Sequence, residues 1–146
     1  MSASDRTLVR CATEKVQRRP KQDKPRQLPS LLLSNVRSLN NKLDEVERRT
    51  VSLKPEILVL TETWLDESIP NSCISLSGYS ICRNDRNRFG GGIIMYIADK
   101  LDYCVINTES ESVISVCDSE LLTVLFPSLK LIIIAIYHFL EGYRKK

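Results

Sequence analysis

Two short apolar runs, Leu31-Leu32-Leu33 and Ile57-Leu58-Val59-Leu60, are separated by a segment whose apolar residues recur at helical spacing. Strand, helix and strand in that order demand a crossover connection, which favours a parallel strand pair and a right-handed turn of the chain. The helix is expected from about Asn40 to Leu53, with Leu39, Leu43, Val46 and Leu53 on one face. Asp44, Glu45, Glu47, Arg48 and Arg49 then cover the solvent side, and Pro55 divides helix from strand. The flanking strands are read as Leu31 to Val36 and Glu56 to Glu62.

Beyond Trp64 the pattern changes. Asp66 to Ser77, with Pro70, Asn71 and several serines, reads as a loop, and Gly78 to Cys82 as a short strand. Arg83 to Phe89 reads as a polar loop with three arginines, leading through Gly90-Gly91-Gly92 into a strand at Ile93 to Ala98. Tyr103 to Asn107 is expected to pair with that strand, and Glu109 to Ser115 to form another loop. Glu120 to Phe126 and Leu129 to Tyr137, joined by a turn at Pro127, read as a hairpin. One β-α-β unit followed by mostly antiparallel strands is an α/β (α+β) layered design.

A chain of 146 residues, 42% apolar, is long enough for one domain with a sizeable core. Its net charge of +3 is unevenly placed. Residues 1–29 carry eight Lys/Arg against three acids, whereas the remainder has thirteen basic and fifteen acidic residues. The division expected is a basic disordered arm at 1–29, a domain at 30–140 and a divergent basic tail at 141–146. Such an arm either holds phosphates by a salt-sensitive, sequence-independent attraction or is a solvated leader. Five cysteines without a Cys-x-x-Cys pair, and a single histidine, argue against structural zinc and for free thiols in a reducing, intracellular compartment. Leu121 to Leu140 is apolar enough to resemble a membrane anchor, but Lys130 at its centre would cost about 2.5–3.5 kcal/mol on insertion. No membrane association is expected.

Glu62 closes an apolar run and would be costly to bury without a partner. It is read either as a magnesium ligand, since that ion often takes one or two carboxylates plus substrate phosphate, or as a strand-exit residue meeting water. Asn35, at the end of the first strand, either binds a phosphate oxygen or orients a metal ligand, or it forms a turn. Parallel strands would bring the two to one edge of the sheet, where open α/β sheets place their ligands. The triple glycine lacks a following Gly-Lys-Ser/Thr and is no nucleotide phosphate loop. Arg83, Arg86 and Arg88 either meet a nucleic-acid backbone or form a solvated loop. Tyr137 and His138 are adjacent on a strand and so face opposite ways, which lets at most one of them point into a site.

These residues, taken in order, resemble a known family. Asn35-Val36-Arg37-Ser38-Leu39 with Asn41-Lys42, Leu58-Val59-Leu60-Thr61-Glu62-Thr63-Trp64-Leu65, Gly78-Tyr79, Arg83-Asn84-Asp85-Arg86 and Gly90-Gly91-Gly92 are similar to the endonuclease domain of non-LTR (LINE-type) retrotransposons. That domain belongs to the endonuclease/exonuclease/phosphatase superfamily, with apurinic/apyrimidinic endonucleases and DNase I. The resemblance runs from about Leu31 to Tyr137. It implies a two-sheet, DNase I-like sandwich, a magnesium (Mg2+) cofactor and nicking of a DNA phosphodiester. By the same resemblance Asn35 matches the active-site asparagine, Glu62 the metal-binding glutamate, and Tyr137 the tyrosine near the scissile phosphate.

The resemblance stops at Tyr137-His138-Phe139-Leu140, where the family reads Tyr-Arg-Pro-Pro. Neither the Asp-x-Asn segment that follows the tyrosine in the family nor its final Ser-Asp-His segment is found downstream. The 146 residues therefore read as a C-terminally truncated domain, expected to be inactive alone. The alternative is a non-catalytic nucleic-acid-binding module using the basic arm and the 83–88 loop. Half a sandwich also leaves strands such as Leu131 to Ile136 with an uncovered apolar face, so self-association is expected.

Overall fold

In a computed structural model, residues 27–106 and 119–138 are described. Eight principal elements follow in chain order: β1 (Leu31–Asn35), α1 (Leu43–Leu53), β2 (Ile57–Thr61), β3 (Tyr79–Asn84), β4 (Ile93–Ala98), β5 (Cys104–Ile106), β6 (Ser119–Phe126) and β7 (Leu131–His138). The first sheet has the order β1-β2-β4-β3 and the second β5-β6-β7. β1 and β2 are parallel, with Asn35 opposite Thr61, and every other pairing is antiparallel. The expected mixed α/β design, one β-α-β unit and then antiparallel strands in two sheets, is what the chain forms.

α1 starts later than its periodicity suggested, at Leu43, and its acids Asp44 and Glu45 sit in the first turn where the helix dipole favours them. The chain stops turning at Lys54, whose left-handed backbone returns its N–H to the Thr50 carbonyl at 2.8 Å, just before Pro55. The inward stripe runs through the buried Leu39, Val46 and Thr50 and the half-buried Leu43. Leu53, expected on that face, is 62% exposed. Thr50 takes its place because its hydroxyl donates back to the Val46 carbonyl at 2.8 Å and so needs no water.

Two cores result. Leu58, Leu60, Ile94 and Tyr96 face α1 and the 66–77 loop, against Leu39, Val46, Leu65, Ile74 and Leu76. The buried Tyr96 hydroxyl donates to the Ile74 carbonyl at 2.7 Å, and burial pushes its pKa up. On the opposite face Ile57, Val59, Ile93, Met95 and Ile97 pack against Leu122, Val124 and Phe126 of the second sheet.

β5 departs from expectation. It pairs with β6, not β4, because both edges of β4 are already taken by β2 and β3. Arg83 and Asn84 also differ from the reading as loop residues, since they complete β3. The Pro127 turn joins β6 to β7 as a hairpin, through one tight turn at Pro127–Leu129. The apolar stretch from Leu121 is thereby folded into two strands, and no helix among the described residues is long and apolar enough to cross a membrane. The loop expected at Glu109 to Ser115, most of the basic arm and the basic tail lie outside the described residues. Cys73, Cys82 and Cys104 are free thiols.

Candidate functional site

The C-terminal ends of β1 and β2 lie at one rim of the first sheet, and the start of β4 and the end of β3 meet them there. The chain leaving β2 is held on both sides. Ser38 and Leu39 donate their N–H groups to the carbonyls of Glu62 and Thr63, each at 2.9 Å. On the other side Trp64 N–H donates to the Gly91 carbonyl at 3.0 Å, and Thr63 N–H to that of Gly92 at 3.4 Å.

Within this brace Glu62 and Trp64 adopt left-handed backbones, with φ of 59° and 55°. That conformation costs an L-residue about 1–2 kcal/mol, and it persists only where its surroundings over-determine it. Its effect is to bend the chain out of the strand so that Glu62 and Trp64 act together. The indole Nε1–H of Trp64 donates to Oε2 of Glu62 at 2.6 Å, and the Tyr137 hydroxyl donates to Oε1 of the same carboxylate. Both oxygens thus have a neutral donor, which fixes the orientation of the carboxylate.

Tyr137 reaches Glu62 because β7 alternates. Leu131, Ile133, Ala135 and Tyr137 face the first sheet, whereas Ile132, Ile134, Ile136 and His138 face outward. His138 is exposed, its Nδ1 2.9 Å from the Ser119 hydroxyl, so of the adjacent pair only the tyrosine belongs to the site. Asn35 shares the rim: in register it is opposite Thr61, the residue before Glu62, and its side chain is exposed. A cavity of about 270 Å³ between α1 and β1 runs past Asn35 but includes neither Glu62 nor Tyr137.

The three arginines separate. Arg83 turns its guanidinium into the protein, to Asp85 (Nε at 3.0 Å, Nη2 at 2.5 Å), to the carbonyls of Ile69 and Asp66 at 2.7 and 2.9 Å, and to Asn71 at 3.1 Å. The donors of Arg83, read in the sequence as meeting either a nucleic-acid backbone or solvent, are thus engaged within the protein and anchor the 66–71 loop. Arg86 approaches Glu120 at 3.7 Å. Arg88 lies in the exposed turn, 5.0 Å over the ring of Phe89.

Glu120 was not singled out in the sequence, although a signal existed. It is a lone acid in phase with the inward residues Leu122, Val124 and Phe126, the same kind of clue that drew attention to Glu62. It is the register partner of Tyr137 and its Oε2 accepts the Gly92 N–H at 3.1 Å. A side chain at either of the two glycines beneath it is strained. Both have positive φ; a Cβ on Gly91 would lie 2.5 Å from Glu120 Oε1, and one on Gly92 would collide with the Thr63 hydroxyl.

Among the described residues no three His, Cys, Asp or Glu side chains gather into a metal cage. Glu62 offers a single carboxylate at the rim, with Asn35 opposite the preceding Thr61, and magnesium commonly takes one or two carboxylates with its remaining positions filled by water and phosphate.

No protein-family model matches the chain, and no curated protein does. Solved structures do match. An AP endonuclease from Leishmania major aligns with a TM-score of 0.57 at 18% identity, covering 80% of this chain and 41% of that one. The Neisseria 3′ phosphatase NExo, bound to a product DNA hairpin, aligns at 0.54 and 18% identity, covering 75% and 41%. An AP endonuclease from Archaeoglobus fulgidus aligns at 0.53 and 17% identity, again covering 75% and 41%. The chain spans about two fifths of the length of these structures, and over that span it has the fold of the endonuclease/exonuclease/phosphatase proteins.

Proposed function

We propose that this chain carries the first part of a magnesium-dependent, DNA-nicking phosphodiester hydrolase of the non-LTR retrotransposon type, and is inactive alone. The observation that carries this is the Glu62 carboxylate, gripped by Trp64 and Tyr137 at the rim that Asn35 shares. Glu62 would hold the ion and Asn35 would meet the phosphate or its water shell. Magnesium would neutralise charge on the phosphate oxygens. The Tyr137 hydroxyl would sit beside that phosphate, oriented by its bond to Glu62. DNA as substrate is supported by the shared fold with a phosphatase captured on a DNA hairpin.

Hydrolysis also needs an organised attacking water and a general base. The Asp-x-Asn and Ser-Asp-His segments of the resembled family do not occur after Tyr137 in these 146 residues. An Asp-x-Asn spelling does occur before Tyr137, at Asp85-Arg86-Asn87, but its Asp85 is paired with Arg83. Supercoiled plasmid incubated with the purified chain and magnesium is expected to stay supercoiled. Manganese should nevertheless bind, and Glu62→Ala should abolish that binding. Nicked circles lost in Glu62→Ala would overturn the inactivity; wild-type manganese binding no stronger than in the variant would overturn the site.

One observation favours a second reading, a non-catalytic nucleic-acid-binding module. Arg88 stacks on Phe89, which is 80% exposed, giving a cation and an aromatic face on one turn. A gel shift that weakens steeply with salt and is lost in Arg88→Ala with Phe89→Ala, without nicking, would support it.

A further inference from the structure

We infer that Glu120 is a positioning residue for Glu62, acting through the Gly91–Gly92 backbone and Trp64. The inference rests on the reading of Glu62 as a ligand. Its physical basis is a continuous set of contacts. Glu120 Oε2 takes the Gly92 N–H at 3.1 Å, so the second sheet grips the chain entering β4. The carbonyls of those same two glycines take the N–H groups of Trp64 and Thr63, at 3.0 and 3.4 Å. Trp64 then holds Glu62 Oε2 at 2.6 Å.

The glycines have positive φ, and the space above Gly91 is filled by the Glu120 carboxylate itself and by the Arg86 stem, 2.5 and 2.8 Å from where a Cβ would be. The Glu120 side chain is only 12% exposed, and a carboxylate that dry is costly unless its acceptors are used. One oxygen is used by the Gly92 N–H, and the other faces Arg86 at 3.7 Å. Glu120 is also opposite Tyr137 in register, so a single pair of β6–β7 residues governs both sides of the Glu62 carboxylate. The Tyr137 hydroxyl touches Oε1 directly, and Glu120 sets Oε2 through the glycines and the indole.

The chain has one tryptophan, so its indole N–H gives a single side-chain signal in a proton–nitrogen correlation spectrum. That signal reports the bond to Glu62 without any metal. Glu62→Ala marks where the signal falls when the bond is gone. Glu120→Ala and Glu120→Asp, the latter keeping the charge but withdrawing it by one methylene, should move the signal to that position. Glu120→Gln, which keeps an acceptor oxygen at the same reach, should leave it in the wild-type place. If Glu120→Ala does not fold, Glu120→Asp decides. A wild-type signal in the shortened variants overturns the inference, as does a signal displaced in Glu120→Gln. Adding manganese separates the two ideas. A signal that follows the Glu120 variants as stated but is not broadened by manganese in the wild type sinks the ligand reading of Glu62 and leaves the positioning role intact.

Discussion

β4 and β7 are built from nearly the same residues, Ile-Ile-Met-Tyr-Ile-Ala and Leu-Ile-Ile-Ile-Ala-Ile-Tyr-His, yet they live in different surroundings. In β4 every residue from Ile93 to Ile97 is buried, because one face meets α1 and its neighbouring loop and the other meets the second sheet. In β7 alternate residues are buried, while Ile132, Ile134 and Ile136 on the outer face are 54%, 57% and 60% exposed. Composition made both strands; position in the layers decided which was covered. β1 tells the same story on the inner face, where Leu31 and Leu33 stand opposite the buried Ile57 and Val59 but are 50% and 64% exposed. The described second sheet, with β6 packed over β3 and β4, does not extend across β1. Among the described residues no strand pairs with the outer edge of β1, the strand that ends at Asn35.

The largest effect should come from truncating the covered strand. Ile94→Ala is expected to cost about 2–5 kcal/mol in urea unfolding, whereas Ile134→Ala should cost less than about 1 kcal/mol. Equal losses would mean that β7 is covered after all. Next is the rim where the layers meet. Gly92→Ala combines a left-handed backbone with a collision at Thr63 and should cost about 2–4 kcal/mol, against near neutrality for Gly90→Ala, which meets nothing within 4 Å. The loop that helps cover the first sheet is tested by Arg83→Ala, which strands Asp85 and two carbonyls and should cost about 1–3 kcal/mol; Arg88→Ala should be within about 0.5 kcal/mol.

The open face makes its own prediction. Replacing Ile132, Ile134 and Ile136 by Thr keeps the β-branch and should leave the unfolding midpoint nearly unchanged while lowering self-association in sedimentation runs. Persistent association would place the contact elsewhere. The smallest effect concerns Glu56, whose carboxyl is held below the usual carboxylate range by the Lys100 ammonium and then by the Ser30 N–H. A depressed folded pKa means stability that is present above the ordinary carboxylate value and is lost as pH falls through the folded one. Lys100→Ala should flatten that acid-side loss by less than about 1 kcal/mol, since the pair is near the surface.

Strand, helix and rim were legible because each depended on local spacing. The alternation and helical recurrence around Pro55 sufficed to put Asn35 and Glu62 at one edge. What escaped was set by partners distant in sequence. β5 was assigned to β4 because proximity along the chain suggested it, while the edges of β4 were already occupied. Leu53 follows Val46 at helical spacing, yet the buried stripe ends one turn earlier at a self-satisfied threonine. Arg83 looked like a surface cation because its acceptors are carbonyls and Asp85, none of which a charge pattern displays. Glu120 was missed for a related reason: its purpose is visible only once Gly92 lies beneath it.

Ser30 and Glu56 are tied twice, backbone N–H of each to side chain of the other at 3.0 Å, at the start of β1 and β2. That staple fixes where the chain joins the sheet, and it is the edge opposite Glu62. β1 then climbs five residues, roughly 16 Å, before Asn35 appears. The pairing that sets Asn35 opposite Thr61 is therefore fixed from the far end of the two strands.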